Sequence, residues 1–240
     1  MSKVIAVFGA GQGLGTSIAR RFAAEGFRVA LVARRKDRLD ALVDQLSTEG
    51  IEAAGFTADL SAPEDIPALI EAIRERLGQI DVIEYGPIPS GRFTPAAQLE
   101  PDALAQDIPL LLLSPLAIVQ AVLAEWKERG DGAFLMTTGA TAVHPMPHAS
   151  GVGPLMAAAR NWLYSLNGEL AASGVYAGTL SIAAFITGSE AAEAAAADPE
   201  AASLAASLPV VDPADLAGLY WDMYSKRDRV EEVHPDLKTS

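Results

Sequence analysis

The sequence predicts a doubly wound α/β fold, a single parallel sheet with helices on both faces. Three observations predict it. Short apolar, β-branched runs alternate with longer helical patterns along the whole chain. The first run, Val4–Phe8, has no polar position, as suits a strand covered on both faces. That run leads directly into a glycine cluster and then into a helical pattern.

The expected strands are Val4–Phe8, Arg28–Ala33, Ile51–Thr57, Ile80–Tyr85, Ala133–Thr138 and Tyr176–Ala183. Between them lie expected helices at Gly13–Glu25, Lys36–Thr48, Pro63–Leu77, a long apolar element ending near Arg129, then Val152–Ser173 and Pro213–Tyr224. Asp212–Pro213 carries the signature of an N-cap followed by proline at the first helical position. Two segments interrupt the rhythm. Thr141–Gly153 collects His144, Pro145, Pro147 and His148 with two glycines and reads as a loop. Ala183–Pro209 is an alanine-rich insertion after the sixth strand; a mobile lid and a plain helical insertion are both open readings. No repeat and no linker divides residues 1–240, so one domain is expected.

The 240 residues carry a net charge of −13, which argues against nucleic acid or an anionic membrane as the main partner. The charge is uneven. Residues 1–40 hold eight basic side chains against three acidic ones, which suggests a local anion site; a solvated helix face is the other reading, preferred for Arg20, Arg21 and Arg28. With no cysteine there is no disulfide framework, no thiol nucleophile and no thiolate metal site, and a cytoplasmic location is expected. The apolar run Ile108–Leu123 contains Pro109, Ser114, Pro115 and Gln120, falls short of the ~20 apolar residues of a membrane span, and is expected to be a buried helix. No targeting segment is visible.

The chemistry begins at the glycine loop. Gly9, Gly11, Gly13 and Gly15, with Gln12 and Leu14 between them, turn the chain from strand to helix. A tight turn here lets the backbone approach a pyrophosphate, whose charge is favoured at the helix N-terminus. The spacing is G-x-x-x-G-x-G over positions 9, 13 and 15. Where a fold that binds NAD places an acid for the ribose 2′-hydroxyl, after the second strand, this chain has Arg34 and Arg35. Guanidinium groups there suit a 2′-phosphate, hence NADP(H); a solvated strand end is the alternative.

Together these features resemble the short-chain dehydrogenase/reductase family, which uses a Rossmann-type sheet. Gly9-x-x-x-Gly13-Leu14-Gly15 is similar to the family's glycine loop, with Phe8 in place of its threonine. Leu31 through Leu39 resembles the second-strand end of NADP-preferring members, and Ala58-Asp59-Leu60 the motif whose acid lies beside the adenine. Ile80-Asp81-Val82, Glu169-Leu170-Ala171 through Gly174-Val175, and Asp212 through Ala217 match further family segments. Phe185-Ile186-Thr187 resembles the strand ending at a threonine that contacts the nicotinamide. The resemblance therefore implies NADP(H) held by Gly9, Gly11, Gln12, Gly13, Leu14, Gly15, Arg34, Arg35, Asp59, Leu60, Gly86 and Thr187. It also implies a homodimer or homotetramer, packed through the long element ending at Arg129 and the helix bearing Trp162 and Leu166.

The family's catalytic set does not carry over. Its tyrosine position falls on Val152, its lysine on Met156 and its serine on Gly139. The fourth-strand motif reads Glu84-Tyr85-Gly86-Pro87, and Asp107–Leu113 offers no asparagine. Substitute proton donors or oxygen-binding groups are sought in His144, His148, Tyr85 and Thr138, each with a structural reading beside the chemical one. A metal held by His144 and His148 is not expected, since prolines break the helical spacing and no third ligand is apparent. Three functions follow: an atypical NADP-dependent oxidoreductase acting on a small molecule, a catalytically silent cofactor- or metabolite-binding protein, and a non-redox enzyme reusing the pocket.

Overall fold

A computed structural model describes residues 2–89, 94–189 and 208–236. Seven strands form one parallel sheet: β1 Val4–Phe8, β2 Arg28–Ala33, β3 Ala53–Thr57, β4 Val82–Tyr85, β5 Gly132–Gly139, β6 Val175–Ile182 and, at the edge, the strand Glu231–His234. The order from edge to edge is β3, β2, β1, β4, β5, β6 and then that last strand. The chain winds outward from β1 in one direction and returns to the other side at β4. A crevice opens at the carboxyl ends between those two strands, because their onward connections leave toward opposite faces.

Helices α1 Leu14–Ala23, α2 Lys36–Thr48 and the late helix Pro213–Lys226 cover one face, burying Ile18, Phe22, Leu39, Leu46, Tyr220 and Met223. Helices α3 Ile66–Leu77, α5 Ser114–Arg129 and α6 Gly153–Leu170 cover the other, burying Ile70, Ile73, Val122, Trp126, Leu163 and Leu166. Before α5 stand α4 Pro101–Ile108 and one π-helical turn, Pro109–Leu113. Pro109 has no N–H to give to the preceding turn, and a π bulge is one way a helix absorbs that missing bond. A small second sheet pairs β7 Phe185–Ile186 with β8 Val210–Val211 ahead of the late helix, here α7; the edge strand is β9.

The expected elements are largely present with adjusted ends. The third strand starts at Ala53 and the fourth at Val82. The alanine-rich segment is described only up to residue 189 and from residue 208, so its core lies outside the described residues. Strand β9 was not anticipated. Its sequence, Glu-Glu-Val-His, lacks an apolar run because an edge strand pairs on one side only. Glu231 is satisfied there by Arg160 of α6, whose Nε donates at 2.9 Å, and by Ser181, whose hydroxyl donates at 2.6 Å.

The long apolar element differs from expectation. Pro101–Arg129 is one helical run, long and apolar enough by length and composition to cross a membrane, yet only 33% of its most apolar stretch is buried within the chain. Trp126 is among the residues that are fully buried, with Ile118 and Val122, and its indole N–H donates to the Ile80 carbonyl at 2.8 Å. The proposed contact residues on α6 also face inward: Leu166 belongs to the core, and Trp162 packs edge-on against Phe134 with centroids 6.1 Å apart.

Gly132 begins β5 directly under the Trp126 ring, and a methyl group on it would overlap the indole. Gly132→Ala should therefore cost roughly 1–3 kcal/mol, the range for overpacking a tight core. The shift in denaturant midpoint at constant slope is the measurement that checks it.

Candidate functional site

The crevice at the β1/β4 switch holds a cleft of about 310 Å³ lined by the glycine loop, the end of β2, and the carboxyl ends of β4, β5 and β6. The loop is shaped by contacts that only glycine permits. Gly9 has φ +84°, and a Cβ there would lie 2.7 Å from the nitrogen of Pro87 and 2.8 Å from its Cα. A Cβ on Gly15 would lie 3.0 Å from the Cα of Ala10, so α1 packs closely under its own loop. The loop is tied across the sheet by Gly9 and Ala10, whose N–H groups both donate to the Val32 carbonyl at 2.9 Å. Thr16 braces it from below, its hydroxyl donating to the Gly11 carbonyl at 2.6 Å. Above Gly11 there is open space. A rigid backbone cradle at a helix N-terminus, with no side chain in the way, fits a diphosphate.

Gly9, Gly11, Gln12, Gly13, Leu14, Gly15, Arg34, Arg35, Leu60 and Gly86 all line this cleft. Arg34 is exposed at the end of β2 and has no ion-pair partner among the described residues. Arg38, one helical turn further on, lines the cleft as well. It was legible as the i+4 neighbour of Arg34 but was not singled out.

Two expected cofactor residues stand outside the lining. Asp59 turns its carboxylate onto its own turn, accepting from the Ser61 N–H at 2.9 Å. Thr187 is held to β8, its N–H and hydroxyl donating to the Val211 carbonyl at 3.0 Å and 3.2 Å.

The substitute proton donors fare differently again. Tyr85 is a core residue. Its ring packs against Phe8 and Phe134, its hydroxyl donates to the Leu110 carbonyl at 2.5 Å, and burial pushes the phenol far above its ordinary range. Thr138 reaches the cleft wall, but its hydroxyl is engaged with Thr179 at 3.0 Å and Ser181 at 2.8 Å. His144 and His148 are exposed and do not line the cleft. Among the described residues, no group of three or more His, Asp or Glu is placed to hold a metal.

Gly139 and Met156 do come together. The thioether of Met156 accepts from the Gly139 N–H at 3.1 Å, and Val152 and Met156 are buried in one small cluster with Leu111 and Leu155. This apolar cluster lies behind Gly139, which lines the cleft, while Val152 and Met156 do not.

One polar group here escaped the sequence reading. Glu84 is 2% exposed, lines the cleft, and is the one acid in the buried strand β4. The Thr137 hydroxyl donates to its Oε1 at 2.7 Å, and Tyr220 of α7 lies 2.5 Å from the same Thr137 oxygen. Burial raises the Glu84 carboxyl to about 8, with the Thr137 hydrogen bond opposing the rise. An acid inside an otherwise apolar strand was the signal that could have found it.

The raised pKa has a consequence for stability. Between about pH 5 and about pH 8 the unfolded chain has lost this proton and the folded chain keeps it, so stability falls as pH rises. Glu84→Gln removes the titration, and the wild type should lose on the order of a few kcal/mol relative to the variant across that window. Denaturant unfolding of both proteins over the window checks the sign.

The family pattern described as short chain dehydrogenase matches residues 3–198. A short chain dehydrogenase of Pseudocercospora fijiensis is 29% identical over 178 residues, covering 72% of this chain and 56% of that protein. A fatty acyl-CoA reductase of Mycobacterium tuberculosis is 34% identical over 131 residues, covering 54% of this chain and 45% of that protein. The chain thus spans about half the length of these curated relatives. Among solved structures, an NADPH-bound short chain oxidoreductase of Pseudomonas aeruginosa PAO1, described as containing an atypical catalytic center, superimposes with a TM-score of 0.83 at 21% identity over 99% of this chain and 98% of that one. Sheet order, glycine cradle and matched length agree: the chain belongs to the short chain dehydrogenase family.

Proposed function

We propose that the chain binds NADP(H) in this cleft and is an atypical oxidoreductase of its family, without the usual tyrosine and lysine acid–base pair. The observation that carries the first half is the pairing of a side-chain-free cradle with Arg34 at the end of β2, where an acid would be expected for NAD. Gly9 through Gly15 would hold the pyrophosphate, Arg34 with Arg35 and Arg38 the 2′-phosphate, and Leu60 the adenine. The relative from Pseudomonas aeruginosa, NADPH-bound and described as atypical, supports the same reading. The cofactor supplies or accepts a hydride when bound.

The second half rests on the apolar cluster behind Gly139. Where the family resemblance puts tyrosine and lysine, this chain buries Val152 at 5% and Met156 at 1% exposure, and neither can move a proton. A substrate already activated for hydride addition would need no strong acid from the protein. The same two residues favour a second reading, in which the cofactor is bound without turnover. A homo-oligomer of cytoplasmic location completes the proposal, its contact face drawn from the uncovered apolar side of Pro101–Arg129 rather than from Trp162 and Leu166.

NADPH should bind more tightly than NADH, and Arg34→Ala should weaken NADPH by about 10–100-fold while leaving NADH nearly unchanged. Equal affinities for the two cofactors in a titration would refute the phosphate assignment. With NADPH present, simple ketones and aldehydes should not be reduced appreciably, because a positioned acid typically contributes 10²–10⁴-fold to such a step. Turnover of an ordinary ketone at ~1 s⁻¹ or faster would refute the atypical assignment.

A further inference from the structure

The cleft has two chemically distinct ends. Arg34, Arg35 and Arg38 stand at one, beyond the glycine loop. The other is closed by Gly86–Ile88, Thr137–Gly139 and Ile182–Ile186, with Glu84 in its floor. If the 2′-phosphate lies by the arginines, as the NADP(H) reading requires, the nicotinamide of the same molecule is directed to the Glu84 end.

Glu84 is fixed there with unusual economy. Its Oε1 receives the Thr137 hydroxyl proton, and a Cβ on Gly86 would lie 2.7 Å from that oxygen and 3.0 Å from the Thr137 hydroxyl. Thr137 has one proton, given to Glu84, so Tyr220 is the donor in the 2.5 Å contact behind it. The order of donation runs from Tyr220 to Thr137 to Glu84 and ends there. Oε2 has no hydrogen-bond partner among the described residues, although the side chain is buried and borders the cleft.

Among the described residues, the surroundings give the carboxylate no compensating cation. Its strand neighbours are Val7 of β1 and Leu135 of β5. Helices α1 and α2 turn Ile18, Phe22, Leu39 and Leu42 to this face, and α7 turns Leu216, Ala217 and Tyr220. Tyr220 is fully buried and stays a neutral phenol, its ionisation opposed by burial and by the charge Glu84 would carry. No cation is hydrogen-bonded to Glu84 among the described residues. A cation arriving in the cleft would therefore have a large effect on this group.

We propose that Glu84 is the residue by which this cleft distinguishes the oxidised from the reduced cofactor: it faces the neutral reduced nicotinamide as a carboxylic acid and the cationic oxidised ring as a carboxylate, releasing one proton to solvent. The proposal rests on the NADP(H) reading above. The reduced ring has no charge for a carboxylate to meet, whereas the oxidised ring carries one positive charge that favours the ionised form. By linkage, oxidised-cofactor binding expels the Glu84 proton and so strengthens as pH rises toward the carboxyl's own titration. The 2′-phosphate is common to both forms, so its titration cancels in the ratio of their affinities.

The experiment is a pair of calorimetric titrations, NADP⁺ and NADPH, on the intact chain between about pH 6 and about pH 9, repeated with Glu84→Gln. In the wild type the ratio Kd(NADP⁺)/Kd(NADPH) should fall on the order of tenfold across this range, and in Glu84→Gln it should stay flat. At about pH 7, in buffers of different ionisation enthalpy, NADP⁺ should release more protons than NADPH from the wild type, and equal numbers from the variant. Glu84→Leu provides the same comparison if the glutamine variant folds poorly. A flat wild-type ratio, or a pH dependence that survives in both variants, would overturn the assignment while leaving NADP(H) binding intact. Failure of both cofactors to bind at any pH would overturn the NADP(H) reading and this one with it.

Discussion

Everything in the cleft depends on how closely Gly9 approaches the backbone after β4. The two strands are hydrogen-bonded neighbours through Phe8 and Tyr85, and their chains then part toward opposite faces of the sheet. At the point of parting, the Gly9 Cα lies so near Pro87 that a methyl group would fall at 2.7 Å from its nitrogen. A left-handed φ of +84° at Gly9 turns the loop before it can collide, and the Val32 carbonyl receives both freed amides. The same contact sets the position of Gly86, and Gly86 in turn leaves room for Glu84 Oε1 and the Thr137 hydroxyl. One absent side chain thus positions both the anion cradle and the acid in the cleft floor.

Much of this was legible in the residues. Alternating apolar runs and helical patterns marked six of the seven sheet strands, and the glycine loop marked the crevice, because both follow from local periodicity and steric need. What was missed was mostly strand parity. Glu84 and Tyr85 are adjacent, so they point to opposite faces. The phenol enters the core beside Phe134, and the carboxyl takes the side that opens on the cleft. Thr137 and Thr138 divide in the same way, the first toward Glu84 and Tyr220 and the second toward Thr179 and Ser181. Which face belongs to the site depends on the whole sheet's winding, and a single strand does not carry that information. Strand β9 was hidden for another reason, since its two glutamates pair with arginines, Glu231 with the distant Arg160 and Glu232 with Arg229 three residues before it.

Asp59 and Thr187 also serve the backbone around them. Both lie close to the positions the family pattern implies, yet each spends its side chain on local backbone, one closing a turn after β3 and the other holding β7 to β8. A short polar side chain at a strand end readily hydrogen-bonds a nearby amide or carbonyl of the backbone. The contacts with Ser61 and Val211 therefore describe what these residues do for the fold. Arg34 differs because its reach is long and no acid pairs with it among the described residues.

The two polar networks flanking β5 make the case of Glu84 unusual within its own structure. On the far side, Thr138, Ser181 and Glu231 form a chain that ends on Arg160, and the guanidinium holds the Glu231 carboxyl below its ordinary range against the opposing effect of burial. On the near side, Tyr220, Thr137 and Glu84 form a chain of similar length that ends on nothing positive among the described residues. Both carboxyls accept from a hydroxyl, and both lose hydration by burial. The difference lies in the cation, which the described residues supply in one case and not in the other. Replacing a buried, unpaired carboxyl by an apolar group of similar size would relieve its desolvation and is often neutral or stabilising. A carboxyl kept in the floor of a cleft, with a hydroxyl relay on one oxygen and no partner for the other among the described residues, gains any further stabilisation of its charged form from what enters on the cleft side.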